Sequence, residues 1–115
     1  MKQRVVQQRS FDFALEVIRL TRELQDKREY VLSKQLLRSG TSIGANVEEA
    51  EAGQTKKDFL AKMAIASKEA RETRYWLRLL QQSQVVPLDL TRHLNDIEEL
   101  IRILTSIVKT TSASL

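Results

Sequence analysis

Scarcity is the first thing this 115-residue chain shows: no cysteine, one proline, one histidine, three glycines, and aromatics limited to three Phe, two Tyr and one Trp. Without cysteine there is no disulfide and no thiolate metal site, and a cytoplasmic location is the expectation. No apolar run approaches the roughly 20 residues that cross a bilayer, and the opening MKQRVVQQRS lacks the apolar core of a secretion signal. A chain of this length is expected to form one domain over residues 1–115, small enough to gain from burial between copies.

What is present favours helix almost everywhere: Leu, Ala, Glu, Lys, Arg and Gln dominate. Four helices are expected. The first spans about Phe11 to Gln25 with Ser10 as N-cap, and the second about Tyr30 to Ala52 with Gly53 as the left-handed residue beyond it. Thr55 caps the third, with Asp58 three residues on, and that helix runs to about Gln82. Pro87 starts the fourth, which ends near Lys109 and leaves TTSASL as a frayed tail.

Apolar spacing supports the same division. In the third helix Phe59, Met63, Ala66, Ala70, Thr73, Leu77 and Leu80 recur at alternating steps of four and three. Leu90 to Val108, Leu32 to Ala50 and Phe13 to Leu24 repeat that pattern in the others. Four such helices joined by short connections make an all-α, antiparallel, up-down-up-down four-helix bundle. A second stripe accompanies the first: Ile65, Glu69, Glu72, Trp76 and Leu79 on the third helix, Leu100, Ile103 and Ile107 on the fourth, Phe11, Leu15 and Ile18 on the first. Either it faces a neighbouring subunit, with Ile65, Trp76 and Leu79 as interface candidates, or it widens one stripe serving a single core.

All three glycines fall in RSGTSIGANVEEAEAG, residues 38–53. No strand precedes them and no Lys-Ser or Lys-Thr follows, so this is not a phosphate loop. The heptad phase passes through without a slip, so it is not a turn either. It reads as helix stripped of bulk by Ser39, Gly40, Ser42, Gly44 and Ala45, with each interior glycine costing about 1 kcal/mol unless packing offsets it. Asn46 falls in the seam and needs a hydrogen-bond partner. Gln35, Arg38, Ser42 and Glu49 share the next stripe. With antiparallel second and third helices, Arg38 comes level with Glu69 and Glu72, and a partly buried Arg38–Glu72 pair is expected, Glu69 competing.

SKQLLRSGTSIGANVEEAEAG followed by KKDFLAKMAIASKEARETRYWLRLL resembles the four-helix-bundle family named after proteins encoded in intervening sequences of bacterial 23S ribosomal RNA. Gln35, Arg38, Ser39, Ser42, Ile43, Asn46, Glu49, Asp58, Phe59, Ser67 and Glu72 carry the likeness, which extends from about Phe11 to Lys109. Glu49-Ala50 stands where Glu-Gly is common in the family. The resemblance implies a homopentameric ring and kinship with accessory proteins of diversity-generating retroelements, whose basic barrels associate with nucleic acid and a reverse transcriptase. It implies no catalytic activity.

Net charge is +4, a modest basic excess, but its placement is uneven. Residues 1–9 hold Lys2, Arg4 and Arg9 with no acid. On the third helix Lys56, Lys57, Lys68, Arg71, Arg74 and Arg78 fit an arc of about 120°, which a ring would repeat with each subunit. That arc is either a candidate RNA or DNA contact or an ordinary solvated face. Tyr75 is the one aromatic within it, so phosphate contact outweighs base readout. His93 reads as a surface histidine rather than a general base, and no Glu-x-x-His pair marks a carboxylate metal site. No cofactor, metal or catalytic residue is expected. Two functions remain open: a nucleic-acid-associated accessory protein, or an oligomeric scaffold that recruits a protein partner.

Overall fold

A computed structural model describes residues 2–115, with side chains from Arg4 onward. Its four helices are α1 (Lys2–Asp26), α2 (Val31–Glu51), α3 (Lys56–Ser83) and α4 (Thr91–Ala113), and there is no strand among the described residues. Each helix packs against two others in the cycle α1–α2–α3–α4–α1, leaving α1 and α3 on a diagonal without close contact. Contacts along each pair run in opposite sequence directions, as in Arg38–Glu72 with Glu49–Lys62, or Arg74–Glu98 with Lys56–Ser114. The result is an antiparallel up-down-up-down bundle of 46 × 20 × 20 Å. No helix is long and apolar enough to cross a membrane, among the described residues.

The four-three spacing places the core. Met63, Ala66, Ala70, Thr73, Leu77 and Leu80 of α3 are all buried, facing Leu36, Ile43 and Val47 of α2 and Ile97, Ile101 and Leu104 of α4. On α1 the stripe continues upstream through Ser10 to Val6, both buried. That continuation corrects the expected helix start. Ser10 is no cap: it occupies a core position eight residues inside α1, where its hydroxyl donates to the Gln7 carbonyl at 3.2 Å.

The glycines likewise do something other than turn. None has a positive φ, and the left-handed positions are filled by Arg28 after α1 and Gln84 after α3. At the first of these, Glu29 N–H reaches back to the Leu24 carbonyl at 2.9 Å, closing the helix end. Gly53, expected to be left-handed, is right-handed or extended; its N–H donates to Ala50 O, and a Cβ there would crowd Asp58 and Phe59 as α3 begins. Gly40 and Gly44 lie inside α2. A Cβ on Gly40 would stand 2.8 Å from Val17 Cγ2, and one on Gly44 would stand 3.3 Å from the Ser10 carbonyl oxygen. Pared surface on α2 therefore admits α1 at close range.

Thr55 caps α3, its hydroxyl accepting from Asp58 N–H at 3.0 Å. Pro87 does not start α4. Val86 and Leu90 plug into the core first, and the helix begins at Thr91, where Asp89 Oδ1 accepts from the Thr91 N–H at 3.0 Å and its hydroxyl at 2.6 Å. Those two bonds hold the Asp89 carboxyl below the usual carboxylate range, the side-chain bond contributing most. The C-terminal tail stays helical to Ala113 rather than fraying at Lys109, and Lys56 Nζ reaches the Ser114 carbonyl at 3.4 Å.

Candidate functional site

The outward edge where α3 meets α4 carries most of the basic arc. Lys57, Lys68 and Arg78 are exposed, without an ion pair among the described residues. Arg71 donates to Thr105 Oγ1 at 3.2 Å, and half-buried Arg74 pairs with Glu98 at 2.9 Å. Lys56 is occupied by Ser114. Two cations that periodicity on α3 alone does not reveal join this edge. Glu98, Arg102, Thr105 and Lys109 recur at steps of four, three and four, so Arg102 and Lys109 share the α4 stripe that touches α3. Reading α4 for its polar stripe as well as its apolar one would have found them.

The N-terminal cations do not gather with that arc. Arg9 forms an ion pair with Glu99 on the opposite flank of α4, and Arg4 is exposed on α1. The Lys2 side chain lies outside the described residues. Tyr75 is exposed and stacks edge-on with Trp76, ring centres 5.1 Å apart.

Between α2 and α3 runs a polar network. Arg38 Nη2 binds Glu72 Oε2 and lies 3.4 Å from Gln35 Oε1, while Arg38 Nη1 lies 3.5 Å from Glu69 Oε2. Trp76 Nε1 donates to the same Glu72 oxygen at 2.9 Å, fixing the carboxylate from its other side. Arg38 is half exposed and Glu72 mostly covered, so the pair is partly buried, as expected, and solvent reaching the guanidinium still screens it. Deeper in the seam, Thr73 Oγ1 is 2.7 Å from the Glu69 carbonyl and 2.9 Å from Ser39 Oγ, both hydroxyl-bearing residues being buried. With one proton each, Thr73 donates to the carbonyl and accepts from Ser39. Asn46 donates to the Ser42 carbonyl of its own helix at 2.8 Å and bridges no helices.

The second apolar stripe divides. On α4, Leu100 and Ile107 are 2% and 4% exposed, so they belong to the bundle's own core and not to a neighbour. On α1, Phe11 is 59% and Ile18 40% exposed, with Leu15 between them; on α3, Ile65 and Leu79 are exposed and Trp76 is partly covered. A widened core stripe thus accounts for α4 alone.

A charged groove of about 610 Å³ separates α1 from α4, lined by Arg9, Asp12, Glu16, Arg92, Asp96 and Glu99 among others. His93 lies beside it, half-buried rather than on the surface as expected, with a buried Nδ1 that has no hydrogen-bond partner among the described residues. Burial pushes its pKa below 6.5, against the raising influence of Glu16, Asp96 and Glu23. Among the described residues no three His, Cys, Asp or Glu side chains converge as metal ligands.

The family profile described as 23S rRNA-intervening sequence protein matches residues 2–106. The chain belongs to that family. A similar solved structure is the crystal structure of a protein of unknown function from the S23 ribosomal protein family of Bacteroides thetaiotaomicron VPI-5482. It is 44% identical, with a TM-score of 0.88 over 95% of this chain and 99% of that one. No curated protein matches. The match begins well before Phe11, consistent with an α1 that starts near the N-terminus.

Proposed function

We propose that this member of the 23S rRNA-intervening sequence family is a non-enzymatic, self-associating bundle, one domain throughout, that lays its α3–α4 edge along the phosphates of RNA or DNA in the cytoplasm. The row of exposed cations Lys57, Lys68, Arg78, Arg102 and Lys109 carries this reading, since Glu98, the carboxylate beside them, is already engaged by Arg74. In the homopentameric ring that the family resemblance implies, the row repeats with each subunit and its field sums. The family's name, tied to intervening sequences of 23S rRNA, supports a nucleic-acid setting. Phosphate contact without base readout fits an edge whose exposed aromatic is Tyr75 alone.

Binding to a mixed-sequence RNA at about 50 and 200 mM salt tests it: affinity should fall on the order of a hundredfold or more if five cations meet phosphates. A variant with Lys68, Arg78 and Arg102 changed to Glu should lose binding while keeping its helical signal. Salt-insensitive or absent binding in the parent ends the nucleic-acid reading. One observation favours the alternative of a protein-recruiting scaffold, namely that Arg71 and Arg74 are tied to α4 and Arg9 to Glu99, which lowers the charge free to meet phosphate.

A further inference from the structure

Tyr75 stands within the cation row of the α3–α4 edge and not to one side of it. It follows Arg71 by one turn and Lys68 by two, and precedes Arg78 by one, so its ring shares a helix face with all three, and it is 54% exposed. The ring rests edge-on against Trp76, centre to centre 5.1 Å, and Trp76 Nε1 is tied in turn to Glu72 at 2.9 Å, with Arg38 on the same carboxylate oxygen. The tyrosine therefore leans on a fixed neighbour and has little freedom left to lose when a ligand covers it.

The row itself is straight. Lys57 to Arg78 spans about 30 Å at 1.5 Å per residue, and Arg102 and Lys109 fall within that span, because Thr105 is level with Arg71 and Ser114 with Lys56. A duplex backbone winds once in about 34 Å, so a straight row of that length laid along a duplex crosses each strand about once and leaves other cations over the grooves. The faces of duplex bases are also closed off inside their own stack. A single strand can follow the row and turn a base outward onto an aromatic ring.

We propose that the α3–α4 edge holds a single strand of RNA or DNA in preference to a duplex, one base stacking on Tyr75 while the adjoining phosphates meet Lys68 and Arg102 on one side and Arg78 on the other. This deepens the nucleic-acid reading above and rests on it. Stacking uses the π-face that every base has, so it adds affinity without adding sequence readout.

Fluorescence anisotropy with labelled mixed-sequence strands of about 16 nucleotides tests it, using RNA and DNA, each alone and annealed to its complement. At equal salt the single strand should bind about tenfold or more tighter than its own duplex. Tyr75→Ala should weaken the single strand roughly five- to 150-fold, the range for losing one stacked base, while Tyr75→Phe retains the parent's affinity. Because no charge is removed, Tyr75→Ala should keep the parent's salt slope, about −3.5 in log affinity against log salt for five cations on a single strand. An abasic DNA strand, which offers the phosphates without the bases, should bind the parent and Tyr75→Ala alike. Circular dichroism confirms that each variant keeps its helices. Tighter binding of either sugar supports the proposal provided that the single strand exceeds its duplex, and it names the strand held. A duplex bound as tightly as its single strand overturns the proposal while the nucleic-acid reading stands. So does a folded Tyr75→Ala that binds like the parent, or an abasic strand that still distinguishes the two proteins. Failure of the parent to bind any strand or duplex overturns both.

Discussion

Helix α1 is held on its two flanks by opposite means. Towards α2 the contact is close: Gly40 lies under Val17, and Gly44 under the backbone of Ser10. Towards α4 the helices stand apart along part of their length, and a groove lined by ionic side chains opens between them, spanned by Arg9–Glu99. The difference teaches where small residues matter in a bundle. A glycine on one helix fixes the approach of its neighbour to within tenths of an ångström, whereas long charged side chains tolerate a gap and fill it with mobile groups and solvent.

Adding bulk to the close flank should produce the largest loss. Gly40→Val has to displace the stiff, fully buried Val17 side chain, and overpacking of that kind costs about 1–3 kcal/mol or more. Urea melts should show it, and a midpoint equal to the parent's would mean that α1 and α2 can part without penalty. Gly44→Ala should come out near neutral in the same experiment. Its Cβ contact is 3.3 Å, which slight relaxation relieves, and the helix-propensity gain of about 1 kcal/mol opposes what strain remains. Equal losses at both glycines would erase the distinction drawn here.

Smaller effects belong to the polar contacts. Arg38→Ala removes a half-exposed guanidinium that bridges two carboxylates, and about 1 kcal/mol of thermal stability is expected to go with it, not the roughly 3–5 kcal/mol of a buried pair. Glu99→Ala on the open flank should cost less than about 1 kcal/mol, and less still at high salt. A loss at Glu99 rivalling that at Gly40 would show that the groove is held shut by charge.

Much of this was legible in the sequence, because heptad spacing depends only on which residues face inward. The α3 seam from Met63 to Leu80 and the level pairing of Arg38 with Glu69 and Glu72 follow from it directly. Helix ends were harder. Ser10 has the chemistry of a cap, yet a small hydroxyl that bonds back along its own helix is equally suited to a tight core position opposite Gly44. Gly53 and Pro87 mislead for a related reason: α2 ends through a right-handed Ala52, with Gly53 pressed close to Asp58 and Phe59 as α3 begins, and Val86 and Leu90 plug into the core before α4 starts. Whether Leu100 and Ile107 serve a neighbour or their own core was not legible either, since two stripes on one helix look the same until the angle between α4 and its partners is known. The candidate basic edge divides similarly, its α3 members visible as an arc and its α4 members visible only once Glu98 and Thr105 are seen to touch α3.

The smallest expected effect is a slope rather than a step. His93 sits beside the open flank with its Nδ1 buried and unpartnered, and burial lowers its folded pKa below 6.5. The unfolded chain, where this histidine is free, therefore binds the proton more readily than the folded one. Its contribution to stability is full above pH 6.5 and is lost as pH falls from there through the folded pKa. Glu16 and Glu23 across the seam on α1, with Asp96 on α4, hold that loss in check, while Arg92 adds to it. Melting temperature measured from pH 8 to 5 should decline through this window in the parent and decline less in His93→Leu, where no proton can be taken up. Parallel curves for the two proteins would mean that the imidazole reaches solvent when it is charged, and that the seam on α4's side of α1 opens even more readily than its static geometry indicates.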